Sequence, residues 1–324
     1  MILGLGVIGT VYAYAFQKAG FVTEHFIREE KRDRCPESLE VNLLDGRQNR
    51  KGKDVDDIYI INKACPDTDY DFIFVSVSGN RLKEAVDTLN KYCLRGTILI
   101  MNGIKDSHGD LDALMGGRKY LLGYPVAGGQ LDLENAGLNC VLFDHIMLEG
   151  EEKANIGNYN DIASAFHIAG IKTESPYDML EWIWLHMAIN TGVITTAASI
   201  GNIADTSAAA RKVMNSADAL RNAVLTIREG IGIIVAMGVN PALYQSEIAP
   251  YKLPALPAGI MMKYMFRRNR LTRRIMELHA NADDLIYVCG SIYEKGKELN
   301  VKTPLLDRNY KILLEEIGNQ RQNG

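Results

Sequence analysis

The residues that most constrain this chain are Gly4-Leu5-Gly6-Val7-Ile8-Gly9, a G-x-G-x-x-G. It follows a β-type start, Ile2-Leu3, and leads into a helix-like run over 11–19 that Gly20 closes. A second β-type run covers 21–27. The pattern alone is weak, but strand, glycine loop, helix and strand in this order form the setting in which such a loop grips a dinucleotide. The first glycine makes the tight turn and the second lets a pyrophosphate approach the backbone. The third lets the helix pack close on the strand, with phosphate at the helix N-terminus. The first strand is short for this role, and residues upstream of Met1 would complete it.

Cofactor choice is written at the end of the second strand. NAD sites place an Asp or Glu about 20 residues beyond the loop, against the ribose 2′-hydroxyl. Here the strand ends on Arg28, with Lys31 and Arg32 just beyond. A guanidinium suits a 2′-phosphate as a bidentate donor and cannot replace the carboxylate, so the position reads as NADP(H). Glu29 and Glu30 stand beside it and keep NAD as the alternative. A solvated charged loop is the plainer reading.

At 324 residues the chain has length for about two domains of roughly 150 each. Its first half alternates β-branched runs, such as 72–77 and 97–101, with amphipathic stretches such as 81–93, which predicts a parallel sheet covered on both faces. Asp45-Gly46 sits between runs 39–44 and 57–61 and suggests an inserted hairpin-like excursion. Short strands over 120–124, 138–143 and 146–148 follow, then a helix over 159–169 ended by Gly170 and a last strand near 171–174. After Ser175-Pro176 helical periodicity takes over, through 178–200, 208–237 and 276–299. The expected architecture is an α/β Rossmann-type parallel-sheet domain over 1–176 followed by an all-helical domain over 177–324.

Charge and cysteine usage narrow the partners. With 36 basic and 40 acidic residues the net charge is −4, so no global basic field recruits nucleic acid or an anionic membrane. Five dispersed cysteines without a CxxC read as reduced thiols, with no disulfide framework and no metal site. No signal peptide is legible, which predicts a cytoplasmic protein. The stretch 182–204 lacks Asp, Glu, Lys and Arg and is long enough to cross a bilayer. It also carries His186, Asn190, Thr191 and Asn202, so it reads as a buried helix of a soluble domain.

Three further anchors accompany the glycine loop and Arg28. Asn102-Gly103 directly follows the strand run 98–101. Trp184-Leu185-His186-Met187-Ala188-Ile189-Asn190 lies on the first helix of the second half. Asp284-Leu285-Ile286-Tyr287-Val288-Cys289-Gly290 begins 20 residues before Pro304. Together these resemble the ketopantoate reductase family, with its Asn-Gly, its Trp-x-Lys-x-x-x-Asn helix and its Glu-Ile-Asp-Tyr-x-x-Gly. The resemblance spans nearly the whole chain. It implies NADPH-dependent reduction of a small 2-oxo acid, 2-dehydropantoate to pantoate in pantothenate biosynthesis, in the cleft between the domains, and it allows a homodimer.

The departures from that pattern bear on chemistry. His186 stands where the family has its proton-donating Lys, Ile194 where it has a second Asn, and Asp284 where it has Glu. Ser78 stands in place of a family Lys. Positions 186, 190 and 194 share one helical face, and His is a competent general acid near neutral pH, with a reference pKa of about 6.5. The resemblance therefore implies His186 as proton donor, with Asn190 and Asp284 orienting substrate. A core histidine beside a core asparagine is the alternative. The candidate catalytic residues are His186, Asn190 and Asp284. The candidate cofactor contacts are Gly4, Gly6, Val7, Ile8, Gly9, Arg28, Ser76 and Asn102, though Asn102-Gly103 is also ordinary turn chemistry. Substrate contacts would be Asn190, Asp284 and Thr272, the last falling near a family Ser inside the basic run Lys263, Arg267, Arg268, Arg270, Arg273 and Arg274. Most such runs are solvated faces. A different carbonyl or imine substrate, and a dinucleotide-binding sensor without catalysis, are the competing functions.

Overall fold

The glycine loop leaves a two-residue strand, β1 (Ile2–Leu3), and enters α1 (Val7–Lys18). The structure, a computed structural model, describes residues 1–201, 205–278 and 282–323. It divides into two units, Met1–Leu180 and Glu181–Gly324.

The first unit continues through β2 (His25–Phe26), α2 (Glu29–Arg32), β3 (Ser38–Asp45), β4 (Lys53–Ile60), β5 (Asp69–Val75) and α3 (Leu82–Lys91). Then come β6 (Arg95–Met101), α4 (His108–Met115), β7 (Tyr120–Tyr124), β8 (Ala127–Asp132), β9 (Gly137–Leu142) and β10 (His145–Leu148). α5 (Glu151–Ala154), α6 (Tyr159–Ile168) and β11 (Lys172–Glu174) close it. Seven strands form one sheet in the order β11-β10-β7-β6-β5-β1-β2, parallel except where β10 runs against β7. Ile98 to Met101 are all buried, as strands covered on both faces require. α3 buries Leu82, Ala85, Val86 and Leu89 on one stripe.

The excursion after β2 is larger than a hairpin. β3 and β4 pair antiparallel over their full length, and β9 and β8 join them in a second sheet ordered β4-β3-β9-β8. α1 packs on β1 and also on β8 and β9, so Gly9 through Phe16 are buried all round. The second strand is shorter than the 21–27 expected: only His25 and Phe26 enter the ladder. β8, with Gly128 and Gly129, has no β-branched signature and is strand only because β9 pairs it.

The second unit is built from α7 (Met179–Ile200), α8 (Thr206–Asn215), α9 (Ala217–Ala236), α10 (Gln245–Lys252), α11 (Ala255–Arg268), α12 (Arg270–Leu278), α13 (Ala282–Glu298) and α14 (Pro304–Asn323). By length and composition α7 could span a membrane, but 61% of its apolar window is buried within the protein, as in a core helix. The expected 182–204 and 276–299 runs include 202–204 and 279–281, which lie outside the described residues. The expected helix 208–237 is two, because Ser216 caps α9 by accepting from the Ala219 amide at 3.2 Å. The basic run likewise splits between α11 and α12 at Asn269, whose side chain accepts from the Thr272 amide. α7 and α9 cross closely: a Cβ on Gly192 would lie 2.4 Å from Ile227 Cγ1, and one on Gly230 would lie 3.2 Å from Ala188 Cβ.

Candidate functional site

β1 has β2 on one side and β5 on the other, so the strand order reverses there. The crevice outside the carboxyl ends of β1 and β5 is where open α/β sheets bind ligands. Gly4 opens it at φ +83°, a region glycine enters freely, and donates its N–H to Phe26 O at 2.9 Å. A Cβ on Gly4 or Gly6 would touch nothing within 4 Å, whereas one on Gly9 would lie 2.5 Å from Ile2 Cγ2. The loop is thus open on its outer side and tight against the sheet on its inner one. No side chain caps α1 at Gly6 and no acidic residue sits in its first turn, so Val7 and Ile8 bring an unopposed helix N-terminus to the opening.

The ends of β5 and β6 complete this edge. Asn102, 8% exposed, donates its Nδ2 to the Val77 carbonyl and ties the two strand ends together. Among the described residues three buried side-chain polar atoms have no hydrogen-bond partner: Asn102 Oδ1, Ser78 Oγ and Thr196 Oγ1. Two of the three are at this edge. Leaving such an atom unpaired costs about 1–3 kcal/mol, so the edge is polar, desolvated and short of ligand donors. Ser76 lies beneath the loop, its Oγ 3.3 Å from where a Gly9 Cβ would stand. Ser78 was not among the sequence-derived contacts, and its unpaired buried Oγ makes it a further candidate; its replacement of a lysine in the resembled pattern was the available signal. At the end of β2, Arg28 Nη1 pairs with Glu84 Oε1 of α3 at 2.8 Å, both side chains about half exposed. An open pair of this kind contributes under about 1 kcal/mol and yields to a stronger anion. An open glycine cradle, an uncapped helix start and two unpaired buried oxygens fit a dinucleotide.

The helical unit gathers part of the other set. His186, Asn190 and Ile194 lie on the one partly accessible face of α7, opposite the Ala188–Gly192 face that packs on α9. His186 stacks on Trp182, with centroids 4.7 Å apart and planes 11° apart. Trp182 Nε1 donates to Glu247 Oε1 at 3.2 Å. Burial pushes the His186 pKa down to about 4, against the opposing pull of Glu247. A shift in that direction favours the neutral imidazole, where the sequence suggested an acid titrating near its reference value of about 6.5. Thr191 Oγ1 donates to Val288 O at 3.5 Å and so sets the middle of α7 against α13. Asp284, partly buried, lies one turn upstream of Val288. His186, Asn190 and Asp284 all have interaction partners. Thr272 lies on α12, which packs on α8 and α11.

Residues 1–160 match the family model described as ketopantoate reductase PanE/ApbA. No curated protein sequence matches the chain. Among solved structures it is similar to 2-dehydropantoate 2-reductase from Methylococcus capsulatus, at 15% identity and a TM-score of 0.63, over 100% of this chain and 97% of that one. It is similar to D-mandelate dehydrogenase in ternary complex with NADH and anilino(oxo)acetate, at 14% identity and a TM-score of 0.66, over 98% of each chain. A dimeric ketopantoate reductase from Staphylococcus aureus gives 14% and 0.62, again over 98% of each. At such identities the likeness establishes the fold.

Proposed function

We propose that the chain is an NADPH-dependent reductase of a small 2-oxo acid, with 2-dehydropantoate as the first substrate to consider, because its residues 1–160 match the ketopantoate reductase family model and the whole chain takes that fold. The observation that carries this reading is the pair of unpaired buried oxygens, Asn102 Oδ1 and Ser78 Oγ, beside an open glycine loop at the strand-order reversal.

Each residue then has a task. The bare outer side of Gly4 and Gly6, with the amides of Val7 and Ile8, holds the pyrophosphate. Asn102 has already given its Nδ2 to Val77, so its Oδ1 is left to accept from the nicotinamide carboxamide. Arg28 exchanges Glu84 for the 2′-phosphate and gains a charge-assisted fork. The nicotinamide, when bound, supplies the hydride. Asn190 and Asp284 orient the 2-oxo acid. His186 acts as a neutral imidazole that donates a ring N–H to the developing alkoxide, a role that needs no stored proton. The proton that completes the alcohol comes from solvent. A homodimer belongs to the same reading.

The neutral His186 also favours a second reading, a protein that binds the dinucleotide without turning it over. Binding itself is tested by titrating NADPH fluorescence against the wild type and Asn102→Ala. The expected result is saturable binding that weakens about tenfold in the variant, as loss of one buried hydrogen bond implies. Equal affinities would remove Asn102 from the site.

A further inference from the structure

His25 of β2 is fully buried beneath the glycine loop. Its Nδ1 lies 2.8 Å from the Gly4 carbonyl oxygen and its Nε2 lies 2.8 Å from the Tyr59 hydroxyl. A carbonyl only accepts, so Nδ1 carries the ring proton and Nε2 accepts from Tyr59 O–H. The Tyr59 oxygen is 3.4 Å from Thr23 Oγ1, which then donates to it. The relay runs in one direction, Thr23 to Tyr59 to His25 to Gly4, and requires a neutral imidazole. Burial pushes the His25 pKa down to about 4, which keeps it so. The backbone of His25 is pinned as well, its N–H donating to Asn62 O and its carbonyl accepting from the Ala64 N–H.

The consequence reaches the loop through one peptide plane. Gly4 is gripped by β2 at both ends, its N–H by the Phe26 carbonyl and its C=O by the His25 ring. In a trans peptide the C=O and the following N–H point in opposite directions. The Gly4 carbonyl points to His25, so the Leu5 N–H points the opposite way, away from the buried ring. Without the ring, a glycine at φ +83° has freedom to rotate that plane. We infer that His25 is a positioning residue for the cofactor's pyrophosphate, locking the Gly4–Leu5 peptide so that the Leu5 N–H faces the phosphate. The inference rests on the dinucleotide reading of the glycine loop given above.

Two amide side chains separate positioning from simple filling of the core. Asn places its Nδ2 where His has Nδ1 and can donate to Gly4, whereas Gln places its Nε2 where His has Nε2 and reaches only Tyr59. NADPH is titrated by fluorescence against wild type, His25→Asn and His25→Gln, with 2′-AMP, which carries no pyrophosphate, as the competing probe. The expected result is that Asn keeps NADPH affinity within about twofold and Gln loses about tenfold, which is about 1.4 kcal/mol, while 2′-AMP affinity holds in both. Equal NADPH affinity in Asn and Gln, or a parallel loss of 2′-AMP, overturns the inference. Should His25→Gln fail to fold, Tyr59→Phe removes the hydroxyl that fixes the tautomer and leaves the ring packing in place. It is expected to weaken NADPH about threefold and to spare 2′-AMP; unchanged NADPH affinity overturns the inference. A wild type that binds no NADPH overturns the dinucleotide reading itself, and this inference with it.

Discussion

The proposed preference for NADPH turns on Arg28. Its partner Glu84 is a surface carboxylate, and a 2′-phosphate is a stronger acceptor for the same guanidinium. Arg28→Ala should weaken NADPH about tenfold and leave NADH within about twofold, read by competitive fluorescence titration. Equal losses would reduce Arg28 to a surface charge. His186 carries a different expectation: with its pKa near 4, it imposes no limb on the pH–rate profile between about pH 6 and 8. A limb near 6.5 that disappears in His186→Asn would show a titrating acid instead. At this scale the sequence was readable where a residue's place in a motif dictates its geometry, as for the left-handed turn at Gly4 and the close approach of Gly9 to Ile2. It was not readable where the role depends on neighbours brought from afar. Nothing in Asn102-Gly103 says that Val77 takes one amide atom and leaves the other unpaired, and nothing near His186 announces Glu247.

Helices of the second unit are set by glycines rather than by side-chain ridges. Gly192 lets α7 lie against Ile227 of α9, which turns the His186–Asn190 face the other way. Gly192→Ala puts a methyl 2.7 Å from the Ile227 backbone nitrogen and should cost on the order of 1–3 kcal/mol, a fall of several degrees in melting temperature. Activity should fall with it if that face meets substrate. An unchanged melting temperature would mean that the crossing is looser than described. Apolar periodicity alone overran the real breaks here. It runs on through Ser216 because the helices on both sides are apolar, and only the cap hydrogen bond to Ala219 marks the start of α9. The second sheet was equally hidden, since Gly128-Gly129 becomes strand through pairing with β9 and not through propensity.

At the scale of the whole molecule, two of the described histidines, His25 in the first unit and His186 in the second, have their pKa pushed down to about 4 by desolvation. Unfolded, each would titrate near its reference value of about 6.5. Below that pH the unfolded state binds the proton first, so stability is undiminished above about 6.5 and declines as pH falls toward 4. The shift corresponds to on the order of 3 kcal/mol for each histidine. Urea unfolding at pH 7.5 and 5 should show the loss in both units, and stability unchanged over that interval would contradict the buried, neutral assignment. The order of a sheet unit before a helical one was legible from the switch in periodicity after Pro176, because parallel strands and amphipathic helices leave different spacings. Substrate identity was not, since the candidate residues His186, Asn190 and Asp284 lie on two different helices and their sequence does not say what they meet. The most direct test of the account is oxidation of NADPH on adding ketopantoate to near-stoichiometric protein, followed by the absorbance of the reduced nicotinamide. The account predicts that NADPH is consumed through one equivalent and beyond. NADPH that stays bound and reduced with ketopantoate, and with phenylglyoxylate as a second 2-oxo acid, would contradict it.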